Sequence, residues 1–129
     1  MQYLLLIYDN EKLWGDMSKE ESQKLHGEYT VFTNDIKASG HFVAGDALQP
    51  VATATTVRVR NGKTQTTDGP FAETKEQLGG YYLINAKDLD EACKIAERIP
   101  SARIGSIEVR PVMVFNMGNA KDQYMAAKK

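Results

Sequence analysis

The sequence contains few of the residues that mark specialised classes of protein. Among 129 residues there is one cysteine, Cys93, which excludes an internal disulfide framework and a multi-cysteine zinc site. Basic residues number 16 against 17 acidic ones, so the net charge of −1 lacks the positive field of a nucleic-acid-binding domain. The apolar run at residues 3–8 is too short for a membrane span or a signal peptide. We therefore expect a soluble, cytoplasmic, single-domain protein that binds neither membrane nor nucleic acid.

Motifs for phosphate and metal binding are also missing. No G-x-G-x-x-G follows a predicted strand, and Gly62-Lys63 lacks the flanking residues of a P-loop. The histidines, His26 and His41, fall on different predicted elements and have no ligand-type partner four residues later. We expect no metal ion and no cofactor. His26 is typical of a helix surface, whereas His41 follows a helix end and either interacts with that end or serves as an acid or base.

The first third of the chain alternates between strand and helix patterns. Residues 2–8 are apolar on both alternating faces, which predicts a strand covered on both sides. A polar loop with Trp14 follows, and Ser18 with Glu21 forms the reciprocal cap that begins a helix. Gly40 is suited to end that helix in the left-handed conformation. One apolar face of the helix is formed by Leu25, Tyr29, Phe32 and Ile36.

The middle of the chain predicts a strand and a hairpin. Residues 42–48 form the strand, in which Gly45 marks a bulge or a close contact. Asn61-Gly62 then predicts a tight turn between residues 55–60 and 63–67. Pairing across this turn puts the valines opposite threonines on one face. The other face, which carries Arg58, is expected to be solvated and basic.

The last third repeats the strand–helix–strand pattern. Residues 79–85 read as a core strand, on which Tyr81 and Tyr82 point to opposite faces. Asp88 caps a second helix that closes before Pro100, and residues 106–115 form a final strand.

This element order predicts an α+β fold, a ferredoxin-like sandwich with an inserted β-hairpin. The domain covers residues 1–115, and residues 116–129 form a polar, lysine-rich tail. Both helices then lie on one face of the sheet, while the opposite face exposes several large apolar side chains to water. A second copy packed sheet against sheet across a two-fold axis is the simplest cover, so we expect a homodimer.

The loop at residues 67–80 is the most unusual segment. It gathers acidic and basic side chains around Phe71, and loops of this length in small domains are often functional. The alternative is plain turn chemistry, with Phe71 anchored in the core and the charges solvated.

If the loop is functional, carboxylates carry the acid/base chemistry and an apolar wall raises the pKa of one of them. The catalytic candidates are Asp68, Glu73 and Asp46. The candidates for substrate binding are Phe71, Lys75, Tyr81, Tyr29, His41 and Arg58. Among these, Lys75 or Arg58 would orient an anionic group, and Phe71 with Tyr81 would form the wall.

The same loop carries a family resemblance. DGPFAETKEQLGGYYLI at residues 68–84 resembles the signature of the YCII-related family, in its DGPF-domain branch. The similarity extends to MQYLLLIY at the start, GHFVAGDALQP at residues 40–50, TATTVRVRNGK before the loop and IPSARIGSIEVRPV at residues 99–112.

The resemblance implies a dimeric α+β barrel. Relatives with this architecture include cofactor-free isomerases and small monooxygenases, which hold substrate between sheet and helices or near the dimer interface. Smaller YCII-like proteins carry a histidine on the first helix, proposed to act with an aspartate. That position falls at Tyr29 here, so the chain departs from the pattern.

Three functions remain open. The first is a homodimeric small-molecule binder or cofactor-free enzyme that uses carboxylates in a cleft near the dimer interface. The second is a non-catalytic regulatory protein, since genes of DGPF proteins often neighbour those of extracytoplasmic-function sigma factors. The third, RNA binding on the sheet, is disfavoured because Gly80-Tyr81-Tyr82 lacks the basic residue and the alternating aromatics of an RNP1 strand.

Overall fold

A computed structural model describes residues 1–115, so the predicted tail at 116–129 lies outside the described residues. The strands are β1 (Gln2–Asp9), β2 (Phe42–Ala47), β3 (Thr55–Arg60), β4 (Lys63–Asp68), β5 (Gln77–Asn85) and β6 (Ser106–Pro111). The α-helices are α1 (Glu11–Asp16), α2 (Lys19–Ala38) and α3 (Leu89–Ala96). Short 3-10 turns occupy Val51–Thr53 and Pro100–Arg103.

The main sheet has the strand order of a ferredoxin-like sandwich. Its four strands run β2–β5–β1–β6, all antiparallel, and β3 pairs with β4 in a separate two-stranded sheet. The hairpin is thus inserted between two strand–helix–strand halves, as the element order predicted. This arrangement confirms the predicted α+β fold.

The core lies between the sheet and the two longer helices. Alternate residues of β1 are buried, so that Leu5 from the strand and Ile36 from α2 are fully shielded from water. The two tyrosines Tyr3 and Tyr82 belong to the same cluster. The remaining members are Ile7, Phe32, Ile84, Ala86, Ala92, Ile95, Ala96 and Ile99.

Helix α2 begins and ends where its sequence predicts. The Ser18 hydroxyl accepts a hydrogen bond from the Glu21 backbone N–H at 3.1 Å and donates one to the Glu21 carboxylate at 3.0 Å. At the other end Gly40 adopts φ 80°, a conformation that costs glycine little.

Two predicted boundaries are wrong. The segment around Trp14 is the helix α1 rather than a loop, because the Asn10 side chain caps it by accepting from the Lys12 N–H at 3.0 Å. Six residues are too few to display a helical period, which hid the element. The last strand ends at Pro111 rather than at residue 115, since the partner strand β1 begins at Gln2, whose carbonyl oxygen accepts the Val112 N–H at 2.9 Å.

The hairpin has the predicted register, but its faces are not buried as expected. Asn61 and Gly62 adopt φ 53° and 74°, and Val59 lies opposite Thr64. Yet Val57 and Val59 are 61% and 60% exposed, whereas Arg58 on the supposedly solvated face is half-buried. The expectation of a wholly solvated arginine face is therefore wrong for the single chain.

The sheet face opposite the helices is apolar on β1 and β5 and charged on β6, where Glu108 and Arg110 lie opposite Leu6 and Leu4. Leu4 and Leu6 of β1 alternate with the buried side chains, and β5 contributes Tyr81 and Leu83 to the same face. Within residues 1–115, no helix is long and apolar enough to cross a membrane.

Candidate functional site

A cleft of about 870 Å³ opens between the main sheet, α1 and α2. Its floor includes Ile7 and Tyr82 from the sheet, and the chain after β2 forms its rim at Leu48 and Pro50. Helix α2 forms one wall with a second, more polar stripe next to its buried apolar one. This stripe consists of Ser22, His26, Tyr29, Thr33 and Lys37.

The deepest charged group in the cleft is Asp9. It is the last residue of β1 and only 4% exposed. Its Oδ2 accepts a hydrogen bond from the Trp14 indole Nε1–H at 3.0 Å. Among residues 1–115, no donor reaches its Oδ1. A buried carboxylate with one neutral partner is costly to the fold, which makes Asp9 an unusual residue for a purely structural position.

Gly79 leaves space beside the free oxygen of Asp9. A Cβ atom built on Gly79 would lie 3.7 Å from Asp9 Oδ1, and both residues line the cleft. The missing side chain thus keeps this oxygen accessible from the cleft. Any larger residue at position 79 would crowd the same space.

Tyr29 faces the cleft from α2 and is fixed by a buried serine. Its hydroxyl donates to Ser101 Oγ at 2.6 Å, and Ser101 is fully shielded from water. Burial raises the pKa of the Tyr29 hydroxyl, the hydrogen bond with Ser101 partly opposes this, and the charge of nearby Asp9 raises it again. Tyr29 is therefore a neutral hydroxyl near the carboxylate.

His26 and Trp14 meet at the open side of the cleft. Their ring centroids are 5.4 Å apart with an interplanar angle of 53°. His26 Nδ1 donates to the Ser22 carbonyl oxygen at 2.8 Å, and Nε2 has no hydrogen-bond partner among residues 1–115. An imidazole, which can serve as an acid or a base, thus lies beside the indole that donates a hydrogen bond to Asp9.

The inner wall is aromatic and tied to α2. Tyr82 and Thr33 share a hydrogen bond of 2.6 Å between their hydroxyls. Burial raises the pKa of Tyr82, and the bond with Thr33 partly opposes the increase. At the far end the Lys37 ammonium lies 5.0 Å from the centroid of the Phe42 ring.

Asp46 and Tyr81 form a pair at the cleft rim. The Tyr81 hydroxyl donates to Asp46 Oδ2 at 2.6 Å, and this hydrogen bond together with the negative charge of Asp46 raises the pKa of Tyr81. The two residues lie opposite each other on neighbouring strands, on the sheet face away from the helices. The pair therefore connects the rim to the apolar open face.

The remaining predicted site residues lie outside this cleft. Asp68, Glu73 and Lys75 are exposed, and Phe71 is 78% exposed, so the alternative that anchors Phe71 in the core is wrong. Arg58 is half-buried on the hairpin. Within a single chain, these five residues therefore do not line the cleft together with Tyr29, Asp46 and Tyr81.

His41 serves a structural contact at the end of α2. Its Nδ1 lies 2.6 Å from Ser39 Oγ, and its Nε2 lies 3.1 Å from Glu91 Oε1 at the start of α3. This network links two helix ends and is separate from the cleft lining.

A metal site is not apparent within residues 1–115, since no three histidine, cysteine or acidic side chains gather there. The three residues most relevant to chemistry in the cleft, Asp9, Trp14 and His26, were not among the predicted site residues. The polar spacing of α2 carried a signal for His26, because positions 22, 26, 29, 33 and 37 share one helical face. Asp9 carried none, since an acid after a strand resembles an ordinary loop.

Comparison with known proteins shows which family and which relatives this chain is similar to. The family model described as "YCII-related domain" matches residues 1–116. An uncharacterised protein of Rhizobium meliloti (strain 1021) is 38% identical over 120 residues, 92% of this chain and 97% of that protein. The structure of 5-chloro-2-hydroxyhydroquinone dehydrochlorinase (TftG) from Burkholderia phenoliruptrix AC1100, in complex with 2,5-dihydroxybenzoquinone, is similar with a TM-score of 0.49 and 15% identity, covering 87% of this chain and 93% of that chain.

Proposed function

We infer a function from the premise that this chain belongs to the YCII-related family. In this proposal the protein binds a small molecule in the cleft between the sheet and α2, and Asp9 exchanges a proton with that molecule. Family membership alone names no reaction, so the proposal is based on the cleft.

The observation that supports the proposal is the half-partnered carboxylate of Asp9. It is 4% exposed, it is held at Oδ2 by Trp14, and its Oδ1 faces an open cleft beside Gly79. Burying a charge this way costs the fold free energy. A group that costs stability and points into a cleft is typical of a functional site.

The proposed step is a proton transfer without a covalent intermediate. A C–H or O–H bond of the ligand breaks, its proton moves to Asp9 Oδ1, and the electron pair remains on the ligand. Return of the proton to another atom of the ligand completes an isomerisation. Tyr29 and His26 line the same cleft, so they border the space that the ligand would occupy.

Deuterium exchange tests this step without knowledge of the natural substrate. A panel of small enolisable ring compounds is incubated with the protein in D₂O, and deuterium incorporation is followed by ¹H NMR. We expect incorporation above the buffer rate for wild type and for Asp16→Asn, whose carboxylate is exposed and outside the cleft. Asp9→Asn should fall to the buffer rate. Equal incorporation by Asp9→Asn and wild type would contradict the role of Asp9.

The catalytic roles of Asp68, Glu73 and Asp46 stay predictions. Asp46 lies at the rim of the cleft, whereas Asp68 and Glu73 would need a second copy of the chain to reach it. The double variant Asp68→Asn, Glu73→Gln in the same exchange assay tests them. Loss of exchange only in the assembled protein would support a contribution across subunits.

The proposal includes a homodimer formed through the open sheet face. Leu4, Leu6 and Leu83 would otherwise meet water, and Tyr81 links this face to the cleft rim. A two-fold contact would bury the leucines and bring each cleft close to the interface.

A partner-binding protein is the second candidate. It is favoured by Phe71, Val57 and Val59, which are all more than half exposed around the inserted hairpin. Affinity purification from a native extract distinguishes the two. A stoichiometric protein partner that is lost in Phe71→Ala, together with no exchange activity, would favour this candidate.

A further inference from the structure

We propose that the cleft is selective for ring compounds that present a hydroxyl or amino donor to Asp9 Oδ1, and that it rejects carboxylates. This inference rests on the proposed function, because it names the class of molecule that the same cleft would take. The inference concerns binding, whereas the proposed function concerns proton transfer, so either can fail while the other holds.

The first support is the charge along the cleft. Its acidic lining residues are Asp9, Glu11 and Asp46, whereas Lys37 is the one lysine or arginine that lines it within residues 1–115. Lys37 follows Tyr29 by eight residues of α2, a distance of about 12 Å along the helix. The deep end around Asp9 therefore lacks a fixed cation that could receive an anionic ligand.

The second support is the burial of Asp9 compared with the other carboxylates. Glu11 Oε1 accepts the backbone N–H of Val51 at 2.8 Å, and Asp46 Oδ2 accepts the Tyr81 hydroxyl, so each of the three carboxylates has one bonded oxygen. Asp9 is only 4% exposed, whereas Glu11 is half-buried and Asp46 is exposed, so water reaches the second oxygen of Asp9 least. A ligand O–H or N–H satisfies this buried oxygen, whereas a ligand carboxylate would bring a second negative charge beside it.

The third support is the aromatic wall. The rings of Trp14, Tyr29 and Tyr82 all line the cleft, and the Phe42 ring lies near its far end. Flat rings gain favourable stacked or edge-on contacts against such walls. The walls thus select a ring, and Asp9 selects the polar group that the ring carries.

Trp14 is the single tryptophan, and its indole N–H bonds to Asp9, so its ¹H–¹⁵N NMR signal reports directly on the site. Phenol, benzylamine and benzoate present the same ring with a hydroxyl, an amine and a carboxylate. We expect phenol, benzylamine or both to shift the signal with a dissociation constant at least about ten-fold lower than that of benzoate. Comparison of phenol with benzylamine then shows whether a neutral or a cationic donor is preferred.

Two variants distinguish a preference for hydrogen-bond donors from nonspecific binding of ring compounds. Asp9→Asn still offers an oxygen to Trp14 but replaces Oδ1 by a donor, so the preference over benzoate should disappear. Gly79→Ala adds a methyl group at ordinary contact distance from Oδ1 and should weaken donor binding by about ten-fold. Gly27→Ala, at an exposed glycine with open space around it, is the matched control and should bind as wild type.

The outcomes are distinct from those of the exchange assay. Benzoate binding as tightly as phenol and benzylamine, or a preference that survives in Asp9→Asn, would overturn the selectivity and leave proton transfer standing. A preserved preference with exchange that is insensitive to Asp9→Asn would support the selectivity and contradict the catalytic role. No shift of Trp14 by any of the three compounds would overturn the inference.

Discussion

Asp9 is only 4% exposed, and the Trp14 indole N–H is the one side-chain donor that bonds to it among residues 1–115. Residues kept for function often have this character, because activity needs groups that stability alone would replace. Asp9 differs in this respect from Asp88, whose exposed side chain caps α3 by accepting the Glu91 N–H at 2.9 Å. The contrast is between a buried carboxylate with one oxygen left without a donor among the described residues and an exposed carboxylate that caps a helix.

Asp9→Asn should therefore leave the free energy of unfolding unchanged or raise it by up to about 1 kcal/mol. The amide oxygen keeps the bond from Trp14, and a buried charge is removed. Asp88→Asn keeps the cap and is the matched control. Urea unfolding followed by circular dichroism measures both. A loss of more than about 1 kcal/mol in Asp9→Asn would indicate that the carboxylate is a structural element.

The buried tyrosines predict loss of stability in alkali. Burial raises the pKa of Tyr29 and Tyr82 above the ordinary 10.0, so the folded chain retains protons that the unfolded chain releases. The stabilisation is complete below pH of about 10 and is lost as the pH rises through the folded-state pKa values. Urea unfolding at increasing pH should show this decline, with a smaller slope in Tyr82→Phe. An identical slope in the variant would contradict it.

At the residue scale, some residues of the cleft were predictable from the sequence, whereas Asp9 at its centre was not. Tyr29 was singled out as the position of the family's helix histidine, Tyr81 because strand alternation puts one tyrosine on the open face, and Asp46 as a carboxylate on the strand before the hairpin. Asp9 was not predictable, since its hydrogen bond comes from Trp14 of α1 and the access to its Oδ1 depends on the missing side chain of Gly79. Both are tertiary contacts without a local pattern.

At the scale of elements, α2 carries two neighbouring stripes with different tasks. One stripe, which includes Phe32 and Ile36, is buried in the core. The other, which includes His26 and Thr33, lines the cleft. The helix thus fixes the site to the core, and its correct start sets the rotation of both stripes.

Removal of the α2 cap should lower stability with little effect on the cleft. Ser18→Ala loses the bond to the Glu21 N–H and should reduce the free energy of unfolding by about 1 kcal/mol. Ser18→Thr retains a capping hydroxyl and is expected to lose less than half of that. Thermal unfolding of the three proteins measures the order, and an equal loss in both variants would contradict capping as its cause.

The hairpin shows which structural features the local sequence predicts and which it does not. Asn61-Gly62 determined its turn and its register correctly, because both depend on backbone conformation near the turn. The exposure of Val57 and Val59 was not predictable, since β3 and β4 pair only with each other and no local rule states what covers them.

At the scale of the molecule, the strand and helix order was enough to predict the ferredoxin-like sheet. Each strand–helix–strand half returns its strand to the same sheet, so few topologies remain once the elements are assigned. The cleft was not predictable from this order. It depends on how far α1 and the rim after β2 stand from the sheet, which element order does not determine.

The open sheet face predicts a dimer that charge should disrupt. Leu4 and Leu83 lie opposite each other in the register, so Leu4→Lys with Leu83→Glu places an attractive pair on the sheet and a desolvation penalty in any interface. We expect wild type to sediment as a dimer at micromolar concentration and the double variant as a folded monomer. Val31→Lys, at a 60% exposed site on the outer side of α2, should remain dimeric. A monomeric wild type would contradict the proposed assembly.

The most direct test of the account is a map of where a small donor-bearing ring binds. Backbone and indole ¹H–¹⁵N signals are assigned and followed during titration with phenol and benzylamine. We expect the largest shifts at Asp9, Trp14, Tyr29 and Gly79, and we expect them to vanish in Asp9→Asn. Shifts confined to residues 67–76, or unchanged by that substitution, would contradict the assignment of function to this cleft.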